Sequence, residues 1–185
     1  MAILKVARLG HPVLRTPGEP IKNVQASEIQ RLVDDMIETM REYAGIGLAA
    51  TQVHRALQLC VIEGAESLRT ERGEEWPRQP LVLINPRISP LTQRMEEDWE
   101  GCLSLPDLRG KVPRFTEIEV QALDRQGKSR QFKATDFFAR VIQHETDHLN
   151  GTVFIDRMQS FETLSFLAEF ARYWAPEGAP IEEEG

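Results

Sequence analysis

The chain has 185 residues, with 22 Lys and Arg against 29 Asp and Glu, for a formal net charge of −7. A hydrophobic fraction of 41% at this length fits one globular domain and excludes a disordered or fibrous chain. The acidic balance argues against a general nucleic-acid binder, and no apolar run approaches the roughly 20 residues of a membrane span. Two cysteines, Cys60 and Cys102, make no disulfide framework, so the expected setting is the reducing cytoplasm.

Pro12, Pro17 and Pro20 make the first twenty residues an extended arm with turns rather than a helix. Ser27 opens a helical pattern, with Gln30 placed to close a capping box. Ile29, Leu32, Val33, Met36, Ile37, Met40 and Tyr43 then form one apolar stripe, which Gly45 and Gly47 stop. Residues 57–63 read as a well-buried strand, 64–80 as a long polar loop, and 81–85 as a short strand stopped by Pro86. Ile118, Val120 and Ala122 alternate with polar residues, so a strand with one wet face runs there. The turn at 124–127 leads to a partner strand near 128–134, giving a hairpin. From Asp136 the pattern is helical again, with Asn150-Gly151 as its C-cap. Ser160 opens a last helix carrying Phe161, Leu164, Leu167, Phe170 and Trp174 on one side. Residues 176–185 are acidic and expected to fray. The expected architecture is α+β, one domain over residues 1–175, with an antiparallel or mixed sheet around the central 136–150 helix and one helix on either side in sequence.

That central helix contains His144-Glu145-Thr146-Asp147-His148, an H-E-x-x-H pattern. At 3.6 residues per turn, His144 and His148 share a face and can reach one ion. Glu145 is rotated by about 100° from His144, beside the ion rather than on it, which suits a carboxylate that handles a water proton. The plainer reading is an amphipathic helix with two solvated histidines; Phe138, Val141 and Ile142 on the inner side make bare exposure the weaker account.

Two histidines need a third protein ligand for a catalytic site with one open position. A His six residues after His148 is excluded, because that position is Phe154. Glu162 or Glu169 could serve, or a thiolate from elsewhere, for which Cys102 is the candidate. Read alone, Cys102 is more simply a small buried hydrophobe, as Cys60 is inside its strand. The small residues of Gly45-Ile46-Gly47-Leu48-Ala49-Ala50 permit close approach of another chain, and Gln52 offers an amide N–H at a fixed place beyond them.

Together, Gly45-Ile46-Gly47-Leu48-Ala49-Ala50-Thr51-Gln52, then Glu100-Gly101-Cys102-Leu103-Ser104-Leu105-Pro106, then Gln143-His144-Glu145-Thr146-Asp147-His148-Leu149-Asn150-Gly151 resemble the three motifs of peptide deformylases in order and spacing. The resemblance covers the chain from the Pro-rich arm to Met158. It implies metal ligands Cys102, His144 and His148, a catalytic Glu145, and an oxyanion held by Gln52 and the Leu103 N–H. Gly47 and Ile46 are implied to flank the substrate backbone and its methionine pocket. The implied cofactor is one divalent ion, Fe²⁺ as the native metal, with Zn²⁺ or Ni²⁺ able to take its place. The implied reaction strips the formyl group from the N-terminal formylmethionine of new polypeptides and releases formate, using hydroxide formed on the ion. One departure is Thr51, where many members carry Pro; it is read as changing loop stiffness and contributing no required group. The implied partners are N-formylmethionyl nascent peptides and, transiently, the ribosome, with no sequence-specific nucleic-acid binding and no membrane. Arg172 is the sole basic residue from Ser160 to Trp174 and the chain closes on Glu182-Glu183-Glu184, so ribosome contact through this end has weak support. Two alternatives stay open: an endopeptidase with a Glu third ligand, and a non-catalytic metal-stabilised binding module.

Overall fold

The first apolar stripe forms helix α1 (Ser27–Glu42), which buries Ile29, Val33, Met36, Ile37 and Met40. This computed structural model describes residues 2–64, 76–77 and 79–175. The fraying expected of 176–185 lies outside them, as do most of the 64–80 loop and whether it covers the site. Ala26, not Ser27, is the N-cap of α1, and the Gln30 amide donates to the carbonyls of Val24 and Arg125 instead of closing a capping box.

The strands in chain order are β1 (Gly47–Ala49), β2 (Leu59–Ile62), β3 (Leu81–Pro90), β4 (Met95–Cys102), β5 (Leu105–Phe115), β6 (Glu117–Leu123), β7 (Ser129–Thr135) and β8 (Ser165–Phe166). Five of them form one antiparallel sheet in the order β1-β2-β3-β6-β7, and three form a second in the order β4-β5-β8. Helix α2 (Asp136–Leu149) lies between them, and a short helix α3 (Leu167–Tyr173) follows β8. One face of the five-stranded sheet carries α1: Leu48, Leu59, Val61 and Ile84 pack on its apolar stripe. The other carries α2, where Phe138, Ala139, Val141, Ile142 and Leu149 meet Ile118, Val120 and Ala134. Burying Ile142 alone stabilises this layer by about 1.5–3 kcal/mol. Among the described residues no helix is long and apolar enough to cross a membrane.

Three features differ from the sequence reading. Pro86 does not stop β3; the strand continues to Pro90 because its register with β6 shifts between Ile84 and Arg87, and a proline without an N–H is tolerated at such a bulge. Asn85 takes the left-handed conformation there (φ 52°), and its side chain bonds the Ile21 N–H and C=O. Strands β4 and β5 were not expected at all. The predicted helix from Ser160 is instead a turn at Phe161–Thr163, then β8, then α3, and Phe161 stays exposed because Ser165 and Phe166 pair with Arg109 and Leu108.

Candidate active site

The β4–β5 hairpin, the α2 helix and the turn after β1 meet where the three sequence motifs converge. Cys102 is the last residue of β4, and Leu103 lies in the turn to β5 with its side chain against the α1 core. His144 and His148 stand one turn apart on α2, with ring centroids 4.9 Å apart. The Cys102 Sγ lies 3.1 Å from His148 Nε2, and candidate ligand atoms of Cys102, His144 and His148 all fall within 4.8 Å of one another. Glu162 and Glu169 are not part of this cluster, the only such group among the described residues. A thiolate and two imidazoles suit a divalent transition metal with one coordination position left open.

Electrostatics divide the two cysteines. Burial pushes the Cys60 thiol well up, so it stays a neutral core group. Burial also opposes ionisation of Cys102, yet the adjacent His148 and His144 hold that thiol well below its usual range. Burial would lower His144, but its hydrogen bonds to Cys102 and Glu100 hold it well above the ordinary histidine value.

Glu145 is buried on α2 and its Oε2 has no hydrogen-bond partner among the described residues. Burial pushes its carboxyl up to about 7; the two imidazoles oppose the rise, and the Cys102 and Glu100 charges add to it. Gly47 on β1 makes room for it, since a Cβ there would collide with the Glu145 carboxylate. Ile46 is half-buried just before β1, packs on the α2-side core, and accepts the Glu63 N–H at 2.9 Å.

Gln52 lies in the single turn at Ala50–Val53 and is fully buried. Its Oε1 accepts the Ala49 N–H at 2.8 Å, which turns its Nε2 toward Ser104 Oγ at 3.1 Å and Cys102 Sγ at 3.5 Å. The N-terminal arm ties both segments together: Ala7 N–H donates to the Gln52 carbonyl and Leu9 N–H to that of Ser104.

Sequence reasoning missed the roles of four side chains here. Thr51, taken to contribute no required group, is buried and donates from Oγ1 to the His148 carbonyl at 3.1 Å, tying the Gln52 turn to helix α2. Ser104 holds the Gln52 amide. Glu100 and Arg114 join the hairpin to α2 through buried ion pairs. Thr51, Ser104 and Glu100 had a signal, their places inside the first and second motifs; Arg114 had none.

The model of the family described as polypeptide deformylase matches residues 3–163. The chain belongs to the polypeptide deformylase family. A curated relative, peptide deformylase 2 of Nostoc sp., is 40% identical over 158 residues, covering 85% of this chain and 87% of its own. The crystal structure of a peptide deformylase from Synechococcus elongatus in complex with actinonin superposes with a TM-score of 0.76 at 38% identity, over 86% of this chain and 81% of that one. The Met-Ala-Ser-bound class I type b enzyme of Acinetobacter baumannii gives 0.78 at 33% identity, over 85% and 99% of the two chains. Membership makes this chain a hydrolase of a metal-using family, and the α+β domain is the fold that its structural neighbours share.

Proposed function

We propose that this site removes the formyl group from N-formylmethionyl ends of new polypeptides, releasing formate. The observation that carries the reading is the convergence of Cys102, His144 and His148 beside a buried, partnerless Glu145 carboxylate oxygen. The three ligands would hold one divalent ion, Fe²⁺ as the native metal, with Zn²⁺ or Ni²⁺ compatible with the same donors. When bound, the ion supplies Lewis acidity, polarising a carbonyl and acidifying water.

This chain's residues supply the rest. Glu145, poised near neutrality, takes a proton from the attacking water and delivers it to the leaving amine. Gln52 Nε2 and the Leu103 N–H donate to the oxygen that gains charge, a role worth ~3–4 kcal/mol per donor. Strand β1 is the edge of its sheet and pairs only with β2 among the described strands, so an extended peptide can add along Gly47 with Ile46 beside its first side chain. An endopeptidase with a Glu third ligand is disfavoured because Cys102, and neither Glu162 nor Glu169, joins the two histidines in the cluster. A closed structural site is disfavoured because three ligand candidates rather than four cluster among the described residues. The domain is assigned to residues 1–175, the setting to the cytoplasm, and the ribosome is the expected transient neighbour because new chains emerge there.

The test is deacylation by the purified, anaerobically handled chain, read as formate released from formyl-Met-Ala-Ser and acetate released from acetyl-Met-Ala-Ser. The formyl peptide is expected to react and the acetyl peptide to be nearly inert, since acetyl places a methyl where formyl has hydrogen. A methyl in a roomy pocket changes discrimination by only about 1–3 kcal/mol, so a larger ratio marks a steric block. Equal rates contradict a formyl-specific site, and internal peptide cleavage would establish the endopeptidase.

A further inference from the structure

We propose that Glu100 is a positioning residue for the metal centre, its carboxylate fixing the tautomer and ring plane of His144 so that Nε2 is the nitrogen left for the ion. The inference rests on the reading of His144 as a ligand.

The Glu100 side chain is 4% exposed, and every bond it makes comes from a cationic or imidazole donor. Its Oε1 accepts from Arg114 Nε at 2.8 Å and Arg140 Nη1 at 2.9 Å. Its Oε2 accepts from Arg114 Nη2 at 3.0 Å and lies 2.9 Å from His144 Nδ1. The two arginines are themselves held. Arg140 donates to the carbonyls of Glu96 at 2.7 Å and Val112 at 2.7 Å, one on each strand of the hairpin. Arg114 reaches across to Asp147 on α2 at 2.5 Å. The carboxylate therefore cannot swing, and the only partner it offers His144 is an acceptor. In the neutral form that ligation requires, an imidazole facing an acceptor keeps its one proton on Nδ1, which leaves Nε2 as the lone-pair nitrogen.

His148 supplies the contrast. Its Nδ1 has no hydrogen-bond partner among the described residues, so no side chain fixes its tautomer as Glu100 does for His144. Glu100 also sits two residues before Cys102 on β4, so one carboxylate sets the thiolate-bearing hairpin against the imidazole-bearing helix. Loss of such an outer partner typically weakens metal binding about 10–100-fold. Glu100→Gln keeps the shape but must point its amide N–H₂ at a donor, at either the arginine end or the His144 end.

The experiment is a competition titration of Zn²⁺ against a chelator on the full chain, for wild type, Glu100→Gln, His144→Ala and Arg157→Ala. Arg157 bonds Asp147 at the exposed rim of the same ionic cluster without touching His144, so it controls for general weakening. Glu100→Gln is expected to bind Zn²⁺ about 10–100-fold more weakly, Arg157→Ala to match wild type, and His144→Ala to lose the ion. Wild-type affinity in Glu100→Gln alongside loss in His144→Ala overturns the positioning role and leaves the ligand set standing. Retention of the ion by His144→Ala overturns the ligand set, and this proposal with it. Should Glu100→Gln fail to fold, nitrogen-15 NMR of the Zn²⁺-loaded wild type decides. A slowly exchanging Nδ1–H on His144 supports the role, and an Nε2–H tautomer overturns it.

Discussion

Helix α2 meets the five-stranded sheet through Phe138, Ala139, Val141, Ile142 and Leu149, and meets the β4–β5 hairpin through Arg140, Gln143, His144 and Asp147. The first face is held by apolar burial, which is non-directional and satisfied by any close packing. The second is held by hydrogen bonds and ion pairs, which fix distance and angle: Gln143 exchanges bonds with the Phe115 backbone at 2.9 and 3.1 Å, and Arg114 spans Glu100 and Asp147. The metal-ligand candidates lie on the directional side. A thiolate from one element and two imidazoles from another must keep a set separation, and apolar packing alone does not enforce one.

Breaking each face in turn separates their roles. Arg114→Met removes the buried guanidinium that Glu100 and Asp147 share, leaving them only Arg140 and Arg157 as cationic partners, and a loss of about 3–5 kcal/mol in urea unfolding is expected together with weaker metal binding. Ile142→Ala leaves a cavity on the apolar side and is expected to cost about 2–5 kcal/mol with metal affinity unchanged. The opposite pattern, in which the cavity mutant loses metal and Arg114→Met keeps it, breaks the comparison. Thr51→Val removes one buried hydrogen bond to helix α2, for an expected loss of about 1 kcal/mol and a lower kcat; Thr51→Ser is expected to restore both. Equal behaviour of the Val and Ser variants would make the hydroxyl irrelevant.

The smallest effect concerns the β6–β7 turn, remote from α2's directional face. Burial opposes ionisation of Asp124, but the Lys128 N–H, the Arg130 guanidinium and the Gln126 N–H hold its carboxyl below the usual range. A depressed carboxyl stabilises the fold fully above the unfolded-state value near ~3.9 and loses that contribution as pH falls through the lower folded value. The stability gap between wild type and Asp124→Asn is therefore expected to be constant from about pH 5 to 8 and to close below about pH 4. A gap that widens on acidification contradicts this account of the turn.

The same division explains what the sequence disclosed. α1, the buried face of α2 and the β6–β7 hairpin were legible because apolar residues there repeat at 3.6 or 2. His144, Glu145 and His148 were legible for the same reason, their spacing being a property of one helix. Strands β4 and β5 were not, because their buried positions include Glu100 and Arg114, and Gly101, Pro106, Gly110 and Pro113 interrupt them, so no apolar alternation exists to read. The bond from Glu100 to His144 and that from Thr51 to His148 join distant segments, and only the assembled fold pairs them. At the C-terminal end, pairing of Ser165 and Phe166 with β5 overrode a helical spacing that began at Ser160. Cys102 became a ligand candidate from its company, since as a lone residue it reads like Cys60.

The central claim is that Cys102, His144 and His148 hold the ion while Glu145 moves the proton. The most direct test measures metal per chain and formate release from formyl-Met-Ala-Ser on the same preparation of Glu145→Gln. The account predicts one equivalent of metal, as in wild type, with turnover reduced about 10²–10⁴-fold. Wild-type turnover in the metallated variant would contradict the role of Glu145, and loss of the metal would make Glu145 a ligand instead.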